Sequence, residues 1–148
     1  MIALACDHGG FELMKEVKSY LDSAGYEYKG FGTFTPESCD YPEIAVPAVK
    51  SIVSGICDKG ILICGTGIGM SIAANKVPGI RAALCTNSYM AEMTRSHNDA
   101  NVLVLGGRVT DTISAIEIVK NFLGSSFSDK KKHRRRVAML SALDNKGS

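Results

Sequence analysis

Short apolar runs alternate with longer amphipathic stretches from one end of this 148-residue chain to the other. The runs cover residues 2–6, 26–29, 60–64, 81–85 and 102–105. Several are almost continuous in Ile, Val, Leu, Ala and Cys, which is typical of parallel strands that helices cover on both faces. The alternation therefore predicts a single domain over residues 1–148. Its fold would be a doubly wound, Rossmann-like α/β fold with a five-stranded parallel sheet.

The stretches between the runs show helical spacing of apolar residues. Phe11, Met14, Val17 and Leu21 are three and four residues apart, and Gly25 follows as a stop signal. Residues 113–123 repeat this pattern, while 41–54, 88–96 and an Ala-rich segment near 73–75 indicate further helices. A C-terminal helix is expected over 128–143, with an apolar stripe at Val137, Leu140 and Leu143. That stripe fits either docking on a neighbouring subunit or packing on its own sheet.

Composition excludes several classes of protein. Hydrophobic residues make up 45% of the chain, enough for a core, yet no apolar run approaches the roughly 20 residues that span a bilayer. The N-terminal apolar run has no basic segment before it, so we expect an unprocessed cytoplasmic protein. Five cysteines without a C-x-x-C pair indicate reduced thiols. A net charge of +2 does not indicate a nucleic-acid partner.

A glycine-rich loop, Cys64-Gly-Thr-Gly-Ile-Gly, follows the third predicted strand. Ligands of doubly wound folds bind at this end of the strands, and loop N–H groups preceding a helix form an anion site. Met70 stands where a dinucleotide-binding loop needs its third glycine, and no P-loop motif occurs, so we expect no nucleotide cofactor. The helix end would stabilise a thiolate at Cys64, able to act as a general base or nucleophile. The alternative is an inert buried cysteine.

Two other polar clusters flank strands. Asp7 and His8 follow the first strand, where Asp7 could instead cap the next helix. The segment 96–101 precedes the fifth strand and contains His97, a plausible acid–base residue, or else forms an Asx turn. Because His97 lies at the opposite edge of the predicted sheet, a catalytic role would require it to act in a site of another subunit.

Cations follow the fifth strand and fill the tail. Arg108 comes directly after a pair of glycines, and residues 130–136 hold six of the seventeen Lys and Arg residues. Such a run is usually a solvated helix face, and a nucleic-acid patch is the next interpretation. We favour one or two of these cations binding a substrate phosphate. No spacing typical of metal ligands is present, so we expect no metal site.

Taken in order, segments 5–11, 40–42, 60–69, 79–82, 97–103 and 107–109 resemble the ribose-5-phosphate isomerase type B family, which includes the galactose-6-phosphate isomerase subunits. The resemblance implies a metal-independent aldose–ketose isomerase of the pentose phosphate pathway, working without a cofactor. It would interconvert ribose 5-phosphate and ribulose 5-phosphate through a cis-enediolate. The resemblance also implies a homodimer or a dimer of dimers whose active sites combine residues of two subunits.

The resemblance assigns a role to each matching residue. Cys64 would move the proton, with Thr66 beside it, and His97 would open the furanose ring. Backbone amides would stabilise the oxyanion at Gly65, Thr66, Gly67, Ile68 and Gly69. The sugar would contact Asp7, His8, Tyr41 and Asn98, and the phosphate would contact Arg108, Lys132 and Arg136. Lys132 departs from the arginine common in the family, and Met70 stands where some members carry a glutamate base.

Other functions remain open at this stage. An isomerase of a hexose 6-phosphate, of the allose or galactose type, would differ by one carbon in the substrate. A non-catalytic sugar-phosphate-binding module would keep the loop and the basic tail without needing Cys64 and His97 together. A low-molecular-weight phosphatase is disfavoured, because no arginine occurs between Cys64 and Arg81.

Overall fold

Five parallel strands form one sheet in the computed structural model, which describes residues 1–144. They lie in the order β2-β1-β3-β5-β4. Their bounds are β1 Ile2–Cys6, β2 Tyr28–Gly30, β3 Lys59–Cys64, β4 Ala82–Leu84 and β5 Val102–Gly106. Since all four pairings are parallel, the predicted doubly wound α/β fold is confirmed.

Helices connect the strands and cover both faces of the sheet. They are α1 Phe11–Ala24, α2 Tyr41–Val53, α3 Ile68–Asn75, α4 Ser88–Asn98, α5 Thr112–Gly124 and α6 Lys131–Leu143. One core cluster contains β-strand residues such as Leu4 and Ile63 with α1, α4 and α5. The other contains their strand neighbours, such as Ala5 and Cys64, with α2 and α3. Both faces are buried, which explains why the strands are apolar without alternation.

The two edge strands are shorter than predicted, with three residues each at 28–30 and 82–84. The N–H of Tyr26 donates to the carbonyl of Leu21, so this residue completes the end of α1. The N–H of Arg81 donates to Oδ1 of Asn101 at 2.8 Å, a side-chain contact in place of the first strand pairing. Each edge strand therefore begins one or two residues later than its apolar run.

The tail helix α6 begins at Lys131, three residues later than predicted. It lies against α4, and His133 is its one buried residue. Leu140 and Leu143 remain 45% and 54% exposed, so packing of this stripe on the sheet of the same subunit is wrong. Among the described residues, no helix combines the length and the apolar character required to cross a bilayer.

The chain segments at the ends of β1, β3 and β5 lie against one another at five glycines: Gly9, Gly10, Gly65, Gly106 and Gly107. A Cβ on Gly9 would lie 2.8 Å from the backbone nitrogen of Gly65, and one on Gly107 would lie 2.6 Å from the carbonyl oxygen of Gly9. These distances are shorter than side-chain carbons tolerate, and both obstacles are backbone atoms. The close approach of the three loops therefore requires glycine.

We expect Gly107→Ala to destabilise the protein by roughly 1–3 kcal/mol, because the methyl group would force two loops apart. Gly124→Ala is the matched control: a Cβ there meets no atom within 4 Å, so we expect a change within about 0.5 kcal/mol. Urea denaturation gives both free energies of unfolding. Equal stability of the two variants would contradict this account of the loops.

Candidate active site

An open cleft lies at the carboxyl ends of β1, β3 and β5, with a volume of about 450 Å³. It is lined by Asp7, Tyr41, Cys64, Gly65, Thr66, Ile68, Gly69, Ile72 and Arg108. All but one of these are residues that the sequence indicated. The exception, Ile72, lies one helical turn after Ile68 on α3 and is 57% exposed. Its i+4 spacing was the signal that could have identified it.

Cys64 ends β3 and is 5% exposed where it reaches the cleft. Its carbonyl accepts a hydrogen bond from the N–H of Gly107 at 2.8 Å, which fixes the strand end against the β5 loop. Gly67 has φ +82° and occupies the N-cap position of α3, and the N–H of Ile68 donates to Oγ1 of Thr66 at 3.3 Å. The first turn of α3 therefore starts four residues after Cys64, and its positive end adjoins the cleft.

Cys6 in β1 and Cys85, directly after β4, differ from Cys64 in their surroundings. Burial raises the pKa of the Cys6 thiol from its ordinary value of 9.0 to about 11, and burial does the same to Cys85. Both side chains belong to the core cluster on the face of α1, α4 and α5. These two thiols stay protonated at neutral pH and do not line the cleft.

Asp7 supports the first loop and also lines the cleft. Its Oδ1 accepts from the N–H groups of Gly9 at 2.8 Å and Gly10 at 3.2 Å. Gly10, not Asp7, occupies the cap position of α1, so the capping alternative is wrong. His8 is partly buried, and its Nδ1 accepts from the N–H of Cys39 at 3.3 Å. Neutral His8 therefore carries its proton on Nε2.

Tyr41 and Arg108 lie over the glycine-rich loop from two sides. A Cβ on Gly69 would lie 2.6 Å from Cζ of Tyr41, and one on Gly65 would lie 3.2 Å from Nη1 of Arg108. The N–H of Arg108 also donates to the carbonyl of Gly65 at 2.9 Å. The cleft thus combines a thiol, a carboxylate, a phenol and a guanidinium. This combination suits a small polyhydroxylated anion.

Six sequence-indicated residues lie apart from the cleft lining: His8, Gly67, His97, Asn98, Lys132 and Arg136. Gly67 lies against Leu84 and not in the cleft: a Cβ on Gly67 would lie 2.5 Å from Cδ1 of Leu84. His97 is in the last turn of α4, Asn98 lines a different cavity, and Lys132 and Arg136 are exposed on α6. Within one copy of the chain, His97 and the tail cations therefore do not join Cys64.

The polar residues after His97 have structural partners. Asp99, the C-terminal cap of α4 at φ 48°, accepts from Nη1 of Arg95 at 2.9 Å and lies 3.5 Å from Nη2 of Arg81. Asn101 bonds the backbone N–H of Arg81 and the carbonyl of Gly79. These contacts connect the end of α4 and the start of β5 to residues 79–81, which precede β4. The polar residues therefore make these longer-range contacts and do not form a local Asx turn.

In the part of the chain that the structure describes, no group of three or more His, Cys, Asp or Glu side chains is arranged to hold a metal ion.

Comparison with known proteins identifies the family. The model of the family described as Ribose/Galactose Isomerase matches residues 2–140. The chain belongs to this family. Ribose-5-phosphate isomerase B of Escherichia coli is 43% identical to it, over 98% of this chain and 97% of the relative. A solved structure of Clostridium thermocellum ribose-5-phosphate isomerase B superposes with a TM-score of 0.96 at 50% identity, covering 99% of both chains.

A further relative carries a different activity. The 4-deoxy-4-sulfo-D-erythrose isomerase of a Clostridium species is 39% identical to the chain, over 99% of this chain and 93% of the relative. The family resemblance that the sequence motifs indicated is confirmed, as is membership of a group of isomerases. The roles of individual side chains stay predictions.

We expect iodoacetamide at pH 8 to label Cys64 well before Cys6 or Cys85. For Cys6 and Cys85, a pKa of about 11 in place of 9.0 reduces the fraction of the thiol present as reactive thiolate by about 100-fold. Peptide mass spectrometry after timed quenching measures the rates, and labelling in urea serves as the control in which all five cysteines react. Labelling of Cys6 or Cys85 as fast as Cys64 would contradict the distinction.

Proposed function

We propose that this member of the family interconverts D-ribose 5-phosphate and D-ribulose 5-phosphate. The observation that carries the proposal is the arrangement of Cys64, Thr66, Asp7 and Arg108 around one cleft at the ends of three strands. The E. coli relative and the C. thermocellum structure, both ribose-5-phosphate isomerases B, support this choice of substrate. The reaction is the aldose–ketose step of the non-oxidative pentose phosphate pathway.

Cys64 acts as the base on the open-chain sugar. Its thiolate removes the proton from C2 of the aldose, and the electrons of that bond move to form the C1–C2 double bond of a cis-enediolate. The protonated Cys64 then donates a proton to C1, while a proton passes from O2 to O1, so the ketose forms without a net redox change. The amides of the loop 65–69 and the end of α3 stabilise the oxyanion.

Arg108 binds the phosphate, and Asp7, His8 and Tyr41 orient the hydroxyl groups. A guanidinium forms bidentate contacts with phosphate, and its place over Gly65 sets the phosphate at one end of the cleft. Nε2–H of neutral His8 is a donor suited to a sugar oxygen. Loop amides and one thiolate supply both the base and the oxyanion stabilisation, so the proposed reaction needs neither a metal nor a cofactor.

We also propose that His97, Asn98, Lys132 and Arg136 complete the site from a second copy of the chain. All four belong to the C-terminal end of α4 or to α6, and within one copy they lie apart from the cleft. The exposed Leu140 and Leu143 on α6 provide apolar area for an interface between copies. A homodimer, or a dimer of dimers, follows from this division of the site.

A cytoplasmic location is part of the same proposal. The base must be a reduced thiol, and all five cysteines are free in the structure. Reducing compartments keep such thiols unpaired.

The substrate specificity to be tested concerns two features of the sugar: the number of its carbons and the kind of anionic group that it carries. The Clostridium relative isomerises a four-carbon sugar that ends in a sulfonate. Lys132 offers a point charge without the bidentate fork of arginine, which reduces the preference for phosphate geometry. Ribose 5-phosphate, allose 6-phosphate, galactose 6-phosphate and 4-deoxy-4-sulfo-D-erythrose form the comparison panel, and the highest kcat/KM is expected for ribose 5-phosphate.

We expect Cys64→Ala to lower kcat for ribose 5-phosphate by at least about 10³-fold with EDTA present, since the base is removed and binding groups remain. Cys57→Ala is the matched control, because Cys57 is buried beyond the opposite end of β3 and is expected to keep full activity. Formation of ribulose 5-phosphate measures both. Substantial turnover by Cys64→Ala would contradict the role of Cys64.

Mixing two inactive variants tests the composite site. Cys64→Ala and His97→Asn, unfolded together and refolded at equal concentration, form hybrid dimers with one intact and one doubly altered site. Random pairing then restores about a quarter of wild-type activity. Activity no higher than the sum of the two separate variants would show that Cys64 and His97 act within one copy.

A further inference from the structure

His133 is a buried histidine on a helix whose other residues are exposed or, at Val137, partly buried, and its ring stacks on that of His97. The centroids are 4.2 Å apart, and the planes are inclined by 30°. His133 is 4% exposed and is the one buried residue of α6. We propose that His133 is a positioning residue that holds the imidazole of His97 in the orientation required for opening and closing the sugar ring. This inference rests on the proposed isomerase function.

Ser128, in the segment before α6, is hydrogen-bonded both to His133 and to Ser96, the residue before His97. The hydroxyl of Ser128 and Nδ1 of His133 are hydrogen-bonded at 2.5 Å. The N–H of Ser128 donates to the carbonyl of Ser96 at 2.9 Å, next to His97 along the chain. Residues 128–133 therefore hold the last turn of α4 both through the backbone of Ser96 and through the ring of His97.

Stacking leaves the reactive atoms of His97 accessible. The ring nitrogens lie in the plane of the imidazole, whereas His133 covers one of its faces. Covering the face restricts rotation about the side-chain torsions while both nitrogens can still exchange protons. A proton-transfer group held in one orientation reacts faster than one that samples several.

His133 is suited to contact a histidine that changes charge. Burial lowers the pKa of His133, and the nearby charges of His97, Lys132, Lys130 and Arg136 lower it further. His133 is therefore neutral at neutral pH, and it does not repel His97 when that ring takes up a proton. An apolar aromatic side chain at position 133 would also be neutral, so we expect it to preserve the orientation of the His97 ring.

The alternative is that His133 only anchors α6. That helix also carries Lys132 and Arg136, the proposed phosphate contacts. Loss of an anchor would displace these cations, so it would raise KM and slow every step alike. Loss of a positioning group would slow the ring step and leave the affinity for phosphate unchanged.

Ribulose 5-phosphate distinguishes the two roles, because its C5 oxygen carries the phosphate and it cannot close a furanose ring. Exchange of its C1 hydrogen in D₂O requires Cys64 and no ring step, whereas formation of cyclic ribose 5-phosphate requires both. NMR measures deuterium at C1 of ribulose 5-phosphate and the amount of ribose 5-phosphate formed. The ratio of these two quantities reports the ring step relative to proton transfer.

We expect His133→Ala to raise the ratio of exchange to product by about tenfold, with KM within about twofold of wild type. The open-chain product would then return to the enediolate more often before its ring closes. His133→Phe keeps a stacked ring and is expected to retain a ratio within about twofold of wild type. Circular dichroism confirms that both variants are folded.

An unchanged ratio in His133→Ala would overturn the positioning role, and so would a tenfold rise that His133→Phe shares. A parallel fall of exchange and product with a raised KM would show that His133 only anchors α6. Wild-type protein that forms no ribose 5-phosphate would overturn the proposed function, whereas a failure confined to the ratio overturns this inference alone.

Discussion

The contact among three backbone loops at the carboxyl edge of the sheet is the constraint on which the site depends. Gly9, Gly65 and Gly107 bring these loops so close that a Cβ on any of the three would fall within 2.6–3.2 Å of a neighbouring atom. This approach places the end of β3 beside the ends of β1 and β5, so Asp7, Cys64 and Arg108 face one cleft. The glycines therefore determine which side chains line the cleft, because they allow the three loops to lie this close together.

The second constraint is that the reactive and charged side chains lie on two separate surfaces of the chain. The cleft surface holds the thiol, the N-terminal end of α3 and Arg108, while the surface formed by α4 and α6 holds two stacked histidines and the cluster of Lys and Arg residues on α6. Neither surface is complete for opening a ring, moving a proton and binding a phosphate. Joining the two from different copies supplies all three, which is the physical basis of the proposed composite site.

The sheet and most of the residues that line the cleft were predictable because they depend on local pattern. Continuous apolar runs such as 60–64 and the position of Cys64 before a glycine-rich loop are visible without coordinates. The later starts of β2 and β4 were not, because they depend on the particular hydrogen bonds that Tyr26 makes with Leu21 in α1 and that Arg81 makes with Asn101. The burial of His133 was also hidden, since it lies in a run of cations that indicates a solvated face.

The central claim is that Cys64 and the α4–α6 surface of a second copy meet around one sugar phosphate. The structure of the Cys64→Ala protein with ribulose 5-phosphate bound tests it most directly. We expect carbons 1 and 2 beside residue 64, with the phosphate between Arg108 and the α6 cations of another copy. A sugar bound with these carbons away from residue 64, or a complete site within one copy, would contradict the account.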